Sequence, residues 1–181
     1  FDDLVALSQV KMPVQAKLEL ARNYWDEMGR GNAKGMHGPM LEALVHALGV
    51  TPQIDTTLAP SLALGNTMAA LATNRVYAYH AIGALGVIEL TAPGRAVQVS
   101  LALRRLKVSA KARHYFDLHA VLDVKHSEAW NHEVFASIAA ETPDAAVHIA
   151  EGALMRLQCG ADCFDAYRRH FWGGDGKKPP A

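Results

Sequence analysis

Apolar residues recur along most of this chain at intervals of three and four positions, which is the spacing of one face of an α-helix. Alternating runs rich in β-branched residues, which predict strands, are scarce. Pro13 opens a first predicted helix that runs to about Met28. Its apolar stripe, the face that a surface helix normally buries, consists of Val14, Leu18, Ala21, Trp25 and Met28.

Glycine- and proline-rich stretches separate this helix from the later ones. The glycine-rich residues 29–35 weaken the helical pattern, and residues 50–60 have the composition of a loop. The further predicted helices cover residues 37–48, one or two segments within 61–91, then 95–106, 109–126 and a last helix to about residue 172.

Single residues set several of these boundaries. Asn74 marks a break within 61–91, and Ala-Pro-Gly at 92–94 predicts a turn. Ser109 is the predicted N-cap of the long helix through 126. Thr-Pro-Asp at 142–144 has the N-cap, first-turn proline and acid that start the last helix. The pattern predicts a single all-α bundle of about six to eight helices over residues 1–173, followed by a disordered tail at 174–181.

Composition narrows the class of protein. A chain of 181 residues is long enough for one domain with a full core. Lys+Arg and Asp+Glu are both 18, so no basic surplus favours nucleic acid. No apolar window is long enough for a membrane span, and the two cysteines favour a reducing, cytoplasmic location over a disulfide scaffold. The nine histidines direct attention to metal or acid–base chemistry.

The sharpest candidate is the run His119-x3-Asp123-x2-His126. On a helix, these steps place the three side chains within a sector of ~60° over about two turns. The stripe has metal-competent side chains and apolar neighbours rather than the mixed charges of a solvated face. The alternative is a surface helix on which His and Asp bond only to each other.

Other helices offer further ligands. Glu89 is the only charged residue between Arg75 and Arg95, so it lies in an apolar segment, unless it reaches solvent near Pro93. Glu27 and His37 flank the glycine-rich stretch, where ideal helix would place them ~80° apart and a break or π-bulge would let them converge. An exposed Glu27 is the alternative.

Three carboxylates and three imidazoles from facing helices suit iron or manganese better than structural zinc. Six ligands exceed the needs of one open catalytic ion and fit two. Haem is disfavoured, because no histidine precedes His37 to act as an axial ligand near the chain start.

This ligand set resembles the haem-oxygenase-like diiron oxidase/oxygenase family, a group often labelled iron-containing redox enzymes. The family has a Glu and a His on one core helix, a Glu on a second, and His-x3-Asp-x2-His on a third. The matching residues, within 20–130, are Glu27 and His37, then Glu89, then His119, Asp123 and His126. The step from Glu27 to His37 is longer than in the family pattern, and the i,i+4 pair Glu42 and His46 is the local rival.

The resemblance implies a haem-oxygenase-like bundle that binds two irons and activates O2 to oxidise a small organic substrate. The implied outcomes are N-oxygenation of an amine or amino acid, oxidative C–C cleavage of an amino or fatty acid, or desaturation. It also implies that further residues precede Phe1. A homodimer stays open. The alternatives are a metal-independent, thiaminase-like protein of the same fold and a non-enzymatic helical interaction domain.

Helix geometry also nominates pocket residues. Tyr115 precedes His119 by one turn, while Leu85 and Ile82 precede Glu89 by one and two turns. We expect Tyr115 to form a wall of the substrate pocket, with Ile82 and Leu85 lining it; ordinary core packing is the alternative. Five other histidines are expected not to be ligands, because they lie on opposite faces or on the last helix: His80, His114, His132, His148 and His170.

Overall fold

The computed structural model describes residues 1–173, which form eight α-helices and no β-strand. The predicted all-α fold is therefore confirmed, whereas the predicted tail at 174–181 lies outside the described residues. The helices are α1 (Asp2–Ser8), α2 (Val14–Glu27), α3 (His37–Ala47), α4 (Ala59–Thr73), α5 (Ala78–Arg105), α6 (His114–Ala129), α7 (Ala136–Glu141) and α8 (Ala145–Trp172).

The two longest helices, α5 and α8, cross with their backbones in direct contact. A Cβ atom on Gly83 would lie 1.8 Å from the carbonyl oxygen of Ile149, and one on Gly152 would lie 2.0 Å from that of His80. No larger residue fits at either position without moving a backbone. These two glycines therefore fix how α5 and α8 are placed against each other.

A π-helical turn, Trp130–Phe135, joins α6 to α7. Trp130 and Val134 are fully buried in this turn, which packs against α2. Phe135 and Trp130 also lie so close to Gly86 of α5 that a Cβ there would clash with both rings. This π-helical segment begins directly after the part of α6 that carries His126. It therefore helps to set the distances between α6, α2 and α5 at the position of the predicted ligands.

The hydrophobic core surrounds the first half of α5. Residues of α1, α2, α4, α8 and the π-helical turn pack against it, and Ile82 and Leu85 are among its most buried members, at 0 % and 1 % exposure. Burial of this apolar surface is the main force that holds the bundle together.

The predicted apolar stripe of the first helix is wrong. Val14, Leu18 and Trp25 are each more than half exposed, whereas the buried face of α2 carries Leu20 and Glu27. That face is polar toward its C-terminal end, so a search for the most hydrophobic stripe selects the opposite side of the helix.

Two predicted boundaries also differ from the structure. The predicted turn at 92–94 is absent, because α5 continues through Pro93. Proline there removes one hydrogen bond, the one to the carbonyl of Glu89, at a cost of about 3 kcal/mol that packing of the flanking segments offsets. Ser109 accepts a hydrogen bond from the Ala112 backbone but does not start α6, which begins at His114.

The predicted break at Asn74 and both ends of the last helix agree with the structure. Asn74 separates α4 from α5 and accepts a hydrogen bond from the backbone N–H of Val76. The last helix begins at Ala145, directly after Thr-Pro-Asp, and ends at Gly173, which has a positive φ of 67°.

Candidate metal centre

A glycine-rich loop brings the last residue of α2 against the first residue of α3. Glu27 ends α2 and His37 begins α3, and two short 3₁₀ turns, Gly29–Gly31 and Ala33–Gly35, connect them. The Nδ1 atom of His37 lies 2.9 Å from Oε2 of Glu27, and both side chains are buried. Glu27 and His37, ten residues apart, therefore meet because the chain reverses its direction between them. Neither a continuous helix nor a π-bulge connects them.

The backbone of this loop requires glycine at its first position. Gly29 has a φ of +61°, in the left-handed region, and a Cβ on it would lie 2.3 Å from the carbonyl carbon of Gly35. The loop therefore closes on itself where any other residue would be both strained and obstructed. This closure places His37 beside Glu27.

On α6, the three predicted ligands share one buried face. His119, Asp123 and His126 are 8 %, 2 % and 5 % exposed. The solvated-stripe alternative is therefore excluded for this helix. Glu89 on α5 is 3 % exposed, so it does not reach solvent near Pro93 either.

These side chains form two groups of three ligand atoms that lie within 4.8 Å of one another. One group joins Glu27 with His37 and His119, and the other joins Glu27 with Glu89 and His126. Glu27 belongs to both groups, so its carboxylate lies between them. Asp123 borders the second group, with its Oδ1 atom 3.6 Å from Nδ1 of His126.

The first group has the geometry of ligands around a common ion. His37 Nδ1 and Glu27 Oε2 are 2.9 Å apart, yet the angles do not form a hydrogen bond, and within residues 1–173 His37 Nδ1 has no hydrogen-bond partner. Two ligands of one octahedral ion, bound at ~2.1 Å, lie about 3 Å apart. Nδ1 of His119 lies 2.7 Å from the Tyr115 carbonyl oxygen, to which it donates, so its Nε2 lone pair is free for a metal.

Burial has the largest effect on His119 and lowers its pKa, against the hydrogen bond to the Tyr115 carbonyl, which raises it. The imidazole of His119 is therefore neutral at pH 7, which is the form that binds metals.

In the second group, Asn23 orients Glu89. The Asn23 amide donates a hydrogen bond to Oε1 of Glu89 at 2.9 Å. The other oxygen, Oε2, lies 3.4 Å from Nδ1 of His126 and is the oxygen available to an ion. Asn23 is itself 1 % exposed.

Asp26 orients His126 from the opposite side. Its Oδ2 atom lies 3.2 Å from Nε2 of His126, and its Oδ1 atom accepts from Nε of Arg30 at 2.6 Å. Burial favours a protonated Asp26, but Arg30 and His126 outweigh it and lower the pKa of this carboxyl, which is thus ionised. A carboxylate on the outer nitrogen of a ligand histidine fixes its tautomer, which leaves Nδ1 of His126 to face the group.

Three buried carboxylates without a nearby cationic side chain need another source of positive charge. Within residues 1–173, Glu27, Glu89 and Asp123 have histidine as their only ion-pair partner. Burial first, and then the charge of Glu89, raise the pKa of Asp123 to about 8, and its Oδ1 atom has no hydrogen-bond partner among the described residues. A bound cation would satisfy that oxygen and neutralise the group, so the residues present fit a metal centre.

Protonation of His126 offsets part of the negative charge of the buried carboxylates. Burial on its own lowers the pKa of His126, but Glu89, Asp26 and Asp123 outweigh burial and raise it to about 9. A protonated His126 therefore balances part of the negative charge of these carboxylates, and a metal bound to its ring would have to displace a proton.

Tyr115 lies beside the first group. Its ring centroid is 4.1 Å from that of His119 and 6.2 Å from that of His37. Ile82 and Leu85 belong instead to the hydrophobic core. Their predicted role as pocket residues stays a prediction, as does that of Tyr115.

The rival pair, Glu42 and His46, is exposed on α3, whereas the other candidate ligands are buried. Sequence reasoning did not identify Asn23 and Asp26. Asn23 precedes Glu27 by one turn, so the same helical spacing that places a ligand in the interior also predicts a buried polar residue there.

The fold and site together define an all-helical protein with a buried cluster of histidines and carboxylates, a candidate metal centre, between α2, α3, α5 and α6. The model of the iron-containing redox enzyme family, a haem-oxygenase-like family, matches residues 1–161. The chain therefore belongs to the iron-containing redox enzyme family. A search of curated proteins found no match to this chain. None of the helices in residues 1–173 is both long and apolar enough to cross a membrane.

Proposed function

We propose that this chain is a non-haem diiron oxidase or oxygenase that uses O2 to oxidise a small organic substrate, with an amine or amino acid as the favoured class. The outcomes considered are N-oxygenation and oxidative C–C cleavage. A cytoplasmic location and the absence of a nucleic-acid partner belong to the same proposal.

One observation supports two ions rather than one: Glu27 is common to both ligand groups. Two groups of three possible ligands offer places for two ions. His37 and His119 would hold one ion and Glu89 and His126 the other, with Glu27 available to both and Asp123 adjacent to the second. Bound iron would supply the redox chemistry for O2 activation.

The protein's own residues contribute orientation and proton control. Asn23 and Asp26 hold Glu89 and His126 in position through hydrogen bonds. Burial, and then the charges of Glu27, Asp123 and Glu89, raise the pKa of Tyr115 to about 12. Its hydroxyl thus stays protonated at neutral pH and can donate a hydrogen bond to a molecule beside His119.

The test is anaerobic loading with Fe(II). We expect close to two irons per chain by metal analysis, and His119→Ala or His126→Ala should each lose at least one. His132→Ala, which removes an exposed histidine of the π-helical turn, is the matched control and should load as the wild type does. A wild-type protein that takes up no iron under these conditions contradicts the proposal and favours the metal-independent, thiaminase-like reading.

Substrate class is tested on the loaded protein. Candidate amines, amino acids and fatty acids are added under O2, and the substrate is the compound that accelerates O2 consumption. The same compound should have no effect on the His126→Ala variant.

Three carboxylates are fewer than the four of ferritin-like sites, so we also expect one iron to be held more weakly than the other in a titration.

A further inference from the structure

A second group of metal-competent side chains lies on the outer side of α5, away from the proposed iron centre. It consists of His80 on α5 and of His148 and Glu151 on α8. His80 and Glu89 are nine residues apart on one helix, which directs them ~180° apart. The two groups therefore use opposite faces of α5.

The three ligand atoms already converge. Oε2 of Glu151 lies 3.0 Å from Nε2 of His80 and 3.1 Å from Nδ1 of His148. Ligands of a tetrahedral zinc ion, bound at 2.0–2.1 Å, lie about 3.3 Å apart. The three ligand atoms all lie within 4.8 Å of one another, so side-chain adjustments alone would convert two hydrogen bonds to one carboxylate oxygen into three bonds to one ion.

The backbone holds this group in place. The close contact of Gly152 with the His80 carbonyl oxygen fixes the start of α5 against α8, one residue from Glu151. The His80 ring is further confined by Tyr77, at 5.4 Å between ring centroids, and by His148, at 4.9 Å. A preformed arrangement of this kind needs little ordering when a ligand binds.

The group also has the negative charge and the solvent exposure that binding of a cation requires. Glu151 supplies a carboxylate, the negatively charged ligand of the group, and it faces both histidine rings. His148 and Glu151 are each about half exposed, at 52 % and 53 %, whereas His80 is 15 % exposed. Solvent can therefore both deliver an ion and supply its fourth ligand.

We propose that His80, His148 and Glu151 form a second, mononuclear site for Zn²⁺, which clamps the start of α5 to the start of α8. Two histidines, one carboxylate and an open fourth position are the donor set that zinc accepts in proteins. The site is independent of the proposed iron chemistry.

The experiment measures Zn²⁺ binding by equilibrium dialysis to tag-free wild type, His148→Gln and His132→Gln. His148 is exposed, so its replacement leaves the fold intact, and His132→Gln is a matched loss of one exposed histidine. We expect His148→Gln to lose one zinc equivalent, or to bind it at least about tenfold more weakly, while His132→Gln matches the wild type. Iron loading should be the same in all three proteins.

A second measurement locates the ion. In ¹⁵N spectra of the histidine rings, Zn²⁺ should shift His80 and His148 in the wild type, and it should raise the Tm of the wild type but not of His148→Gln. Identical zinc curves for wild type and His148→Gln would overturn the proposal. So would binding weaker than about 0.1 mM at His148, which would mean an adventitious ion only.

Discussion

The two sides of the proposed iron centre are built in different ways. On α6, three ligands stand on one regular helix, and helical spacing alone fixes their common direction. On the other side, Glu27 and His37 belong to two helices and meet only because a loop with a left-handed glycine reverses the chain between them. The first side depends on local periodicity and the second on one backbone conformation, so mutations should affect them separately.

The largest effect is expected where the two sides join. Glu27→Ala removes the carboxylate common to both ligand groups and should reduce iron from about two per chain to nearly none. Glu42→Ala, an exposed glutamate on α3, is the matched control and should retain both irons. Metal analysis after anaerobic loading measures this. A Glu27→Ala protein that keeps both irons would remove the basis for a shared carboxylate.

Gly29→Ala should break the loop side alone. The new Cβ clashes with Gly35 at a positive φ, which costs about 1–3 kcal/mol and displaces His37. We expect weaker iron binding at the group of His37 and His119, and a Tm lower by about 2–4 °C for each kcal/mol lost. Gly38→Ala, where a Cβ meets nothing within 4 Å, is the control. Equal effects of the two substitutions would show that loop closure does not position His37.

Asp123→Asn should make the metal-free protein more stable than the wild type at pH 8 while it weakens iron binding on the α6 side. The pKa of Asp123 is about 8 in the metal-free fold, against 3.8 as its ordinary value. Below pH 3.8 this carboxyl is protonated in both the folded and the unfolded state, so it does not change stability. As the pH rises from 3.8 toward 8, only the unfolded state releases the proton, and the free energy of unfolding falls progressively.

Urea unfolding of the metal-free proteins between pH 6 and 8 tests this expectation. Wild type should lose stability relative to Asp123→Asn as the pH rises, with a difference on the order of a few kcal/mol at pH 8. The variant should bind the iron at Glu89 and His126 poorly. A constant stability difference across this range would show that Asp123 is ionised throughout.

A smaller effect is expected from the residue behind His126. Asp26→Asn weakens the acceptor on Nε2 of His126, which should lower affinity for the adjacent iron by about 10- to 100-fold without abolishing binding. Arg30→Gln removes the other partner of Asp26 and should have a weaker effect in the same direction. Iron titrations of both variants give the order, and the reverse order would contradict the positioning role of Asp26.

The smallest effect on iron is expected for Tyr115→Ala. The ring contacts His119 but is not in either ligand group, so iron loading should stay nearly intact while substrate affinity or turnover changes. His119 should keep its hydrogen bond to the backbone carbonyl of residue 115. Unchanged kinetics on the true substrate would exclude Tyr115 as a wall of the pocket.

The sequence by itself determined the helical class and the α6 side of the centre. Periods of three and four are local properties, so they predicted helices and the common direction of His119, Asp123 and His126. The lack of other charges around Glu89 likewise predicted its burial. Family resemblance, rather than geometry, paired Glu27 with His37.

Only the tertiary structure decided which face of α2 is buried and how the chain returns to His37. Hydrophobic periodicity favours Val14, Leu18 and Trp25, but α2 buries a face that ends in Asn23 and Glu27 because those polar groups have partners on α3, α5 and α6. The continuation of α5 through Pro93 and the convergence of His80 with His148 and Glu151 depend in the same way on long-range packing. Contacts between residues far apart in sequence leave no periodic pattern, so the folded chain alone reveals them.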